Sequence, residues 1–152
     1  MTELGFRFAG ASERQALEDL QRRASLVYEV YRPALLANPG AIHLPASQLE
    51  EQRVRVAEQG GVVLGFSVVL ARGDVCELDG LFVEPGHWRR GIGRALMEDA
   101  FKLGRAGGAW MMEVIANPQA ESFYARLGFT RTGLVTTSFG IASKMRRSLR
   151  ET

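Results

Sequence analysis

Val75-Cys76-Glu77-Leu78-Asp79-Gly80-Leu81-Phe82-Val83, then Glu84-Pro85-Gly86-His87-Trp88-Arg89-Arg90, then Gly91-Ile92-Gly93-Arg94-Ala95-Leu96: this stretch decides the fold. Its first nine residues are rich in apolar types and lie between turn residues, Gly73-Asp74 before and Pro85-Gly86 after, so they read as a strand. From Gly91 the period changes. Ile92, Ala95, Leu96, Ala100 and Leu103 recur on one helical face, and Gly107-Gly108 ends the run. Trp110 to Ala116 is apolar again and reads as a second strand. Strand, helix and strand in this order make a β-α-β unit with a parallel crossover. In such a unit ligands gather at the carboxyl end of the first strand, where the loop meets the helix N-terminus.

On the N-terminal side, Arg53 to Ala57 alternates strictly, Gly60-Gly61 turns, and Val62 to Ala71 is nearly all apolar. With Val75 to Val83 these form an antiparallel meander joined by tight Gly turns. Further upstream, residues 4–8 read as a short strand. Ser12 caps an amphipathic helix through Leu17, Leu20, Ala24 and Tyr28 to about Tyr31. Residues 32–47 are broken by Pro33, Asn38-Pro39-Gly40 and Pro45, and a short helix follows Ser47. Downstream, Asn117-Pro118 opens a short helix striped by Ala120, Phe123, Tyr124 and Leu127 and closed by Gly128. Two final strands follow, about 129–134 and 141–147. The expected class is α/β (α+β): a mixed, mostly antiparallel central sheet of about six to seven strands flanked by helices, in a single domain over residues 1–152.

With 152 residues, 46% hydrophobic and 24% charged, the chain has ordinary globular usage, which argues against disorder and against fibre. Nineteen basic against 17 acidic residues leave a net charge of only +2, weak grounds for a nucleic-acid partner. The basic tail (Lys144, Arg146, Arg147, Arg150) has no interleaved aromatics to stack bases and reads as a protected edge strand. One cysteine, Cys76, and two distant histidines, His43 and His87, supply neither a disulfide framework nor a metal cluster. The N-terminus lacks a secretory pattern, and the longest apolar run, Gly61 to Ala71, is too short to span a bilayer. A cytoplasmic protein with neither membrane nor nucleic-acid partner is the expectation.

Arg89-Arg90-Gly91-Ile92-Gly93-Arg94 carries the ligand signal. Backbone N–H groups at a helix start are unpaired, glycines admit close approach, and the arginines add charge, so a phosphorylated ligand fits. A plain Gly turn with solvated arginines is the competing reading. Two other phosphate motifs are excluded. Leu96 stands where a dinucleotide fingerprint needs its third glycine, and seven residues separate Val83 from Gly91. Gly86 to Gly91 has P-loop spacing, but Ile92-Gly93 replaces the Lys and Ser/Thr that motif requires.

The segment Leu81 to Leu96, with its strand, Val-x-Pro and Gly-x-Gly helix start, resembles the acetyl-CoA segment of the GCN5-related N-acetyltransferase family. Asn117-Pro118-Gln119-Ala120 with Phe123-Tyr124-Ala125-Arg126-Leu127-Gly128-Phe129 resembles the family's second segment, in matching order and spacing. The likeness is sharp over residues 75–131 and architectural elsewhere. One position departs: the family often places Gln or Arg three residues before the first glycine, and here it is Trp88. That side chain's contribution does not carry over, whereas a backbone grip on phosphate does.

The resemblance implies an acetyl-CoA-dependent N-acetyltransferase that moves the acetyl group directly to a primary amine of a small molecule or peptide, without metal. It implies acetyl-CoA contacts at Phe82, Val83, Arg89, Arg90, Gly91, Ile92, Gly93, Arg94, Asn117 and Tyr124. Such a transfer needs a proton acceptor for the ammonium and a proton donor for the thiolate. Glu77 and Asp79 alternate onto one face of their strand, with Leu81 and Val83, and are the candidate bases. Glu77 matches the glutamate base of some family members, and Glu113 on the neighbouring strand is a third candidate. Each acid could instead be a solvated or arginine-paired sheet residue. Tyr124 matches a tyrosine near the CoA sulfur in the family and is the candidate acid. The competing reading makes it a core aromatic, although Phe123 already supplies an apolar ring there. Cys76 reads as a buried small side chain. A non-catalytic acyl-CoA sensor is the alternative function; it would keep Gly91, Gly93 and Asn117 but not need Glu77 or Tyr124. Acceptor specificity is expected from residues 28–47 and the loop near Thr136–Gly140, with Arg32 either holding a substrate carboxylate or solvated. A homodimer is compatible with the sequence.

Overall fold

The computed structural model describes residues 3–29 and 31–150. Among these, seven strands, β1 (Gly5–Phe8), β2 (Val54–Gln59), β3 (Val62–Arg72), β4 (Val75–Val83), β5 (Met111–Ala116), β6 (Thr130–Thr137) and β7 (Gly140–Ser148), form a sheet in the order β1-β2-β3-β4-β5-β7-β6. The helices are α1 (Arg14–Leu26), α2 (Arg32–Ala37), α3 (Ala46–Glu50), α4 (Ile92–Ala106) and α5 (Glu121–Arg126). The β1–β2, β2–β3, β5–β7 and β6–β7 ladders are antiparallel, and β4–β5 is parallel. The mixed sheet flanked by helices is thus the one the sequence implies. The chain forms two compact units, Met1–Val68 with Gly80–Met97, and Val69–Asp79 with Glu98–Thr152.

In the first unit α1 buries Leu17, Leu20 and Ala24, the 3–4 spacing of an apolar stripe. Before it, Arg7 holds Glu13 by two hydrogen bonds of 2.7 and 2.9 Å, and that guanidinium keeps the Glu13 carboxyl below the usual carboxylate range. The helix stops earlier than its sequence pattern suggests. Tyr28 N–H and Tyr31 N–H close turns on the carbonyls of Ser25 and Tyr28, and α2 begins at Arg32. The sequence reading treated residues 32–47 as broken by turns, but Pro33 sits in the first turn of α2, where its missing N–H would have no intrahelical partner anyway.

A core cluster of Ala57, Leu64, Ile92 and Leu96 receives Leu81 and Val83 of β4. Gly65 allows this approach: a Cβ there would lie 2.8 Å from the Phe82 carbonyl oxygen and 2.9 Å from Leu96 Cδ1. Backbone cannot yield as a side-chain tip can, so Gly65→Ala should lower stability by about 1–3 kcal/mol, the usual range for overpacking. Chemical denaturation would show this as a lower midpoint with an unchanged slope. An unshifted midpoint would mean that β4 and α4 do not meet closely at Gly65.

In the second unit the later turns of α4 and the helix α5 accompany β5, β7, β6 and the first half of β4. Cys76, Leu78, Met112, Val114, Met145 and Leu149 are buried. At Gly104 a Cβ would come within 2.9 Å of both Cys76 Sγ and Leu149 Cδ1, so α4 lies close over these side chains. The Arg147 guanidinium lies 4.0 Å over the Phe101 ring. Cys76 thus faces α4, and the alternation of β4 turns its neighbour Glu77 to the other side of the strand.

Candidate active site

The loop after β4 is built in the first unit. Val83 ends the strand, Pro85–His87 makes a single 3-10 turn, and α4 starts at Ile92. Within this loop Arg89 has φ 66° and Gly91 φ 80°, both left-handed. Glycine adopts this conformation freely; a non-glycine residue pays roughly 1–2 kcal/mol for it. Strain of this kind collects where a loop must present its backbone to a ligand. The first intrahelical bond at the start of α4 runs from Ala95 N–H to the Gly91 carbonyl, at 3.0 Å. The N–H groups of Ile92, Gly93 and Arg94 thus precede the helical ladder and point toward an incoming acceptor. A Cβ at Gly86 or Gly91 would meet nothing within 4 Å, so the loop's outer side is open. Arg89, Arg90 and Arg94 are exposed, and among the described residues no carboxylate pairs with them. Together these features suit a multiply charged anion.

Trp88 is turned inward. Its indole N–H donates to the Val83 carbonyl at 2.8 Å, and its ring lies 5.7 Å from that of Tyr28. It anchors the start of the glycine loop to the end of β4 and does not project from it. The neighbouring Glu84 is gripped by Arg23 of α1 through hydrogen bonds of 2.6 and 2.8 Å, which hold its carboxyl below the usual range. Burial pushes the Tyr28 and Tyr31 phenols up. Sequence reasoning passed over Arg23, whose helical spacing marks it only as α1 surface, and put Tyr28 on the apolar stripe of a helix that in fact ends at Leu26. Arg32, considered there for a substrate carboxylate, donates instead to the Leu26 carbonyl at 3.1 and 3.2 Å, and so satisfies the end of α1.

The second unit holds the proton-transfer candidates. Glu77 is half-buried and accepts from Arg72 Nε at 3.0 Å. Asp79 is exposed. Glu113 stands opposite Glu77 in the β4–β5 register and accepts from Arg146 Nε at 2.7 Å, with Lys144 Nζ 3.6 Å away. That ladder runs from Val75↔Met111 to Leu78↔Val114. Tyr124 is 7% exposed, edge-on to Phe123 and Phe129 at centroid distances of 5.2 and 5.5 Å. The sequence argument gave Phe123 the core role, but Tyr124 is the more buried of the two. Asn117 accepts the Ala120 N–H at its Oδ1, at 2.9 Å, in a turn preceding α5. It caps that turn rather than the helix, whose N-cap position is Ala120. With the oxygen used, a ligand would meet its amide N–H donors. Cys76 is 2% exposed, and burial pushes its thiol up, away from thiolate nucleophile chemistry. Among the described residues no group of three or more His, Cys, Asp or Glu could hold a metal, and no helix is long and apolar enough to cross a membrane.

Comparison with known proteins bears on the fold and the family. No curated protein matches the sequence. Among solved structures the chain is similar to Ard1 from Thermoplasma volcanium, at 17% identity over 97% of this chain and 99% of that one, with a TM-score of 0.76. It is similar to the ribosomal-protein-S18-alanine N-acetyltransferase from Escherichia coli, at 18% identity over 99% and 96% of the two chains, with a TM-score of 0.73. It is also similar to yncA, a putative acetyltransferase from Salmonella typhimurium solved with its cofactor acetyl-CoA, at 24% identity over 99% and 96%, with a TM-score of 0.72. At such identities these likenesses establish the fold. The sequence profile of the acetyltransferase (GNAT) domain matches residues 50–131, more than half the chain and the segment holding both motifs. The chain belongs to the GNAT acetyltransferase family.

Proposed function

We propose that this protein is an acetyl-CoA-dependent N-acetyltransferase acting directly on a primary amine. The observation that carries the reading is the glycine loop, with left-handed Arg89 and Gly91, helix-start N–H groups and exposed arginines. These residues suit a pyrophosphate: Gly91, Ile92, Gly93 and Arg94 through backbone N–H, and Arg89, Arg90 and Arg94 through charge. Phe82 and Val83 bring the end of β4 to the loop, and Asn117 offers its amide N–H to the pantetheine arm. Acetyl-CoA itself supplies the activated thioester. Glu77 takes a proton from the acceptor ammonium, with Asp79 the alternative base. Tyr124 gives its proton to the departing sulfur. The acylated-cysteine route is disfavoured by the burial of Cys76.

The direct test measures free thiol released from acetyl-CoA against a panel of primary amines, including amino acids, polyamines and short peptides. Amine-dependent release is expected. Tight binding of acetyl-CoA with no release to any amine would replace the enzyme reading with that of an acyl-CoA sensor.

A further inference from the structure

We infer that the acceptor amine also carries a carboxylate, and that Lys144 receives it. The inference rests on the N-acetyltransferase reading above and on Glu77 as the group that takes the ammonium proton. It starts from a pocket of about 180 Å³, lined entirely from the second unit, into which Glu77 opens. Its charged lining is Arg72, Glu77, Glu113 and Lys144.

The sheet register explains why these side chains meet. Glu77 stands opposite Glu113, and Ile115 opposite Lys144, while Glu113 stands opposite Arg146. Directly opposed residues present their side chains to one face, so all five share it. Val75, Ile115 and Val135 give the pocket apolar walls. Ile115 is 40% exposed, a large side chain left uncovered beside charged neighbours. The volume equals about six water molecules at roughly 30 Å³ each, room for a molecule of amino-acid size rather than a folded segment.

The cations are not equally well held. Arg72 is matched to Glu77 at 3.0 Å, and Arg146 to Glu113 at 2.7 Å. Lys144 has only a 3.6 Å approach to the already bonded Glu113, longer than a hydrogen bond. Of these three cations Lys144 is thus the one with no carboxylate at hydrogen-bond distance, and a carboxylate on a ligand would supply one. The same ligand must bring an ammonium to Glu77. An ammonium and a carboxylate on one small carbon frame, with an apolar side chain toward Val75, Ile115 and Val135, meet all three conditions. A free amino acid is the simplest such acceptor.

The experiment is calorimetric titration of free amino acids, and of their carboxamides, into the wild-type protein and into Lys144→Met, with CoA present throughout. Methionine keeps the side chain's length and removes its charge, while Arg146 still pairs Glu113. At least one amino acid should bind, its amide should bind tenfold or more weakly, and Lys144→Met should erase that difference. The inference is overturned if no free amino acid binds, if acid and amide bind alike, or if Lys144→Met leaves the preference intact. Thiol release separates this from the underlying reading. Equal turnover of amines with and without a carboxylate ends the inference and leaves the acetyltransferase standing. Lys144-dependent amino-acid binding without any transfer ends the acetyltransferase reading and the acceptor role with it, and leaves only the carboxylate site at Lys144.

Discussion

Gly93→Asp should weaken CoA binding at least about 100-fold, equivalent to about 2.7 kcal/mol, while the protein stays folded. Gly93 is the second residue of α4 and is not among the glycines with positive φ, so a side chain there meets no backbone strain. Its N–H lies before the first intrahelical bond. The added carboxylate would sit where the proposed pyrophosphate is held, and repulsion in a partly shielded loop acts more strongly than in open water. The same carboxylate interacts favourably with the helix dipole and so favours α4. Binding and stability should therefore move in different directions, which a merely disruptive substitution would not produce. Calorimetry for CoA affinity and circular dichroism with thermal melting read the two quantities. Unchanged affinity in a folded variant would remove the glycine loop from the cofactor site.

Glu77→Gln and Tyr124→Phe should each lower kcat by about 10²-fold, the lower end for general acid–base catalysis because a thiolate leaves readily. Their pH profiles should differ. An acceptor ammonium loses its proton unaided as pH rises, so the Glu77→Gln defect should shrink at high pH. Tyr124→Phe lacks a donor, which alkaline solution does not replace, and its defect should persist. Both substitutions should be structurally mild. Arg72 is 62% exposed and can be solvated once Glu77 loses its charge. The ring contacts of Tyr124 with Phe123 and Phe129 survive removal of the hydroxyl. If Glu77→Gln matches wild type at neutral pH and Asp79→Asn shows the alkaline rescue, the base lies two residues along β4. If none of these carboxylates matters, solvent takes the proton, and positioning of the reactants supplies most of the acceleration.

The strands β3 and β4 and the helix α4 were legible because their boundaries are chemical: Gly60-Gly61, Gly73 and Gly107-Gly108 stand at the turns. The glycine loop was legible for the same reason, since left-handed backbone at Gly91 leaves a compositional trace. Arg89 leaves none, because an arginine in that conformation is imposed by the surrounding loop. Pro33 misled because proline both breaks helices and begins them, and only its place relative to the first turn decides which. Asn117 was read as a helix cap because the local pattern fits a turn equally well. The pocket beside Glu77 was hidden for a deeper reason. Arg72, Glu113, Val135 and Lys144 are far apart in sequence, and the register that gathers them is set by ladders that no short window contains. Trp88 was seen as a departure from the family pattern, but its bond to the Val83 carbonyl depends on how the loop folds back on the strand end, which residue types alone do not record.

The strand order has a consequence for synthesis on the ribosome. β5 is made before β6, yet its outer neighbour in the sheet is β7, the last of the seven strands to be made. Until β7 arrives, β5 offers a bare row of N–H and C=O groups, the template on which nascent chains stick to one another. The closing residues of the ladder also complete the packing below it. Leu149 N–H bonds the Trp110 carbonyl at 2.7 Å, and Arg105 bonds the Leu149 carbonyl at 2.6 Å. Translation speed across residues 111–149 and the presence of a holdase during that interval therefore bear on the yield of folded protein more than either does for the β2–β3 hairpin, whose partners emerge together.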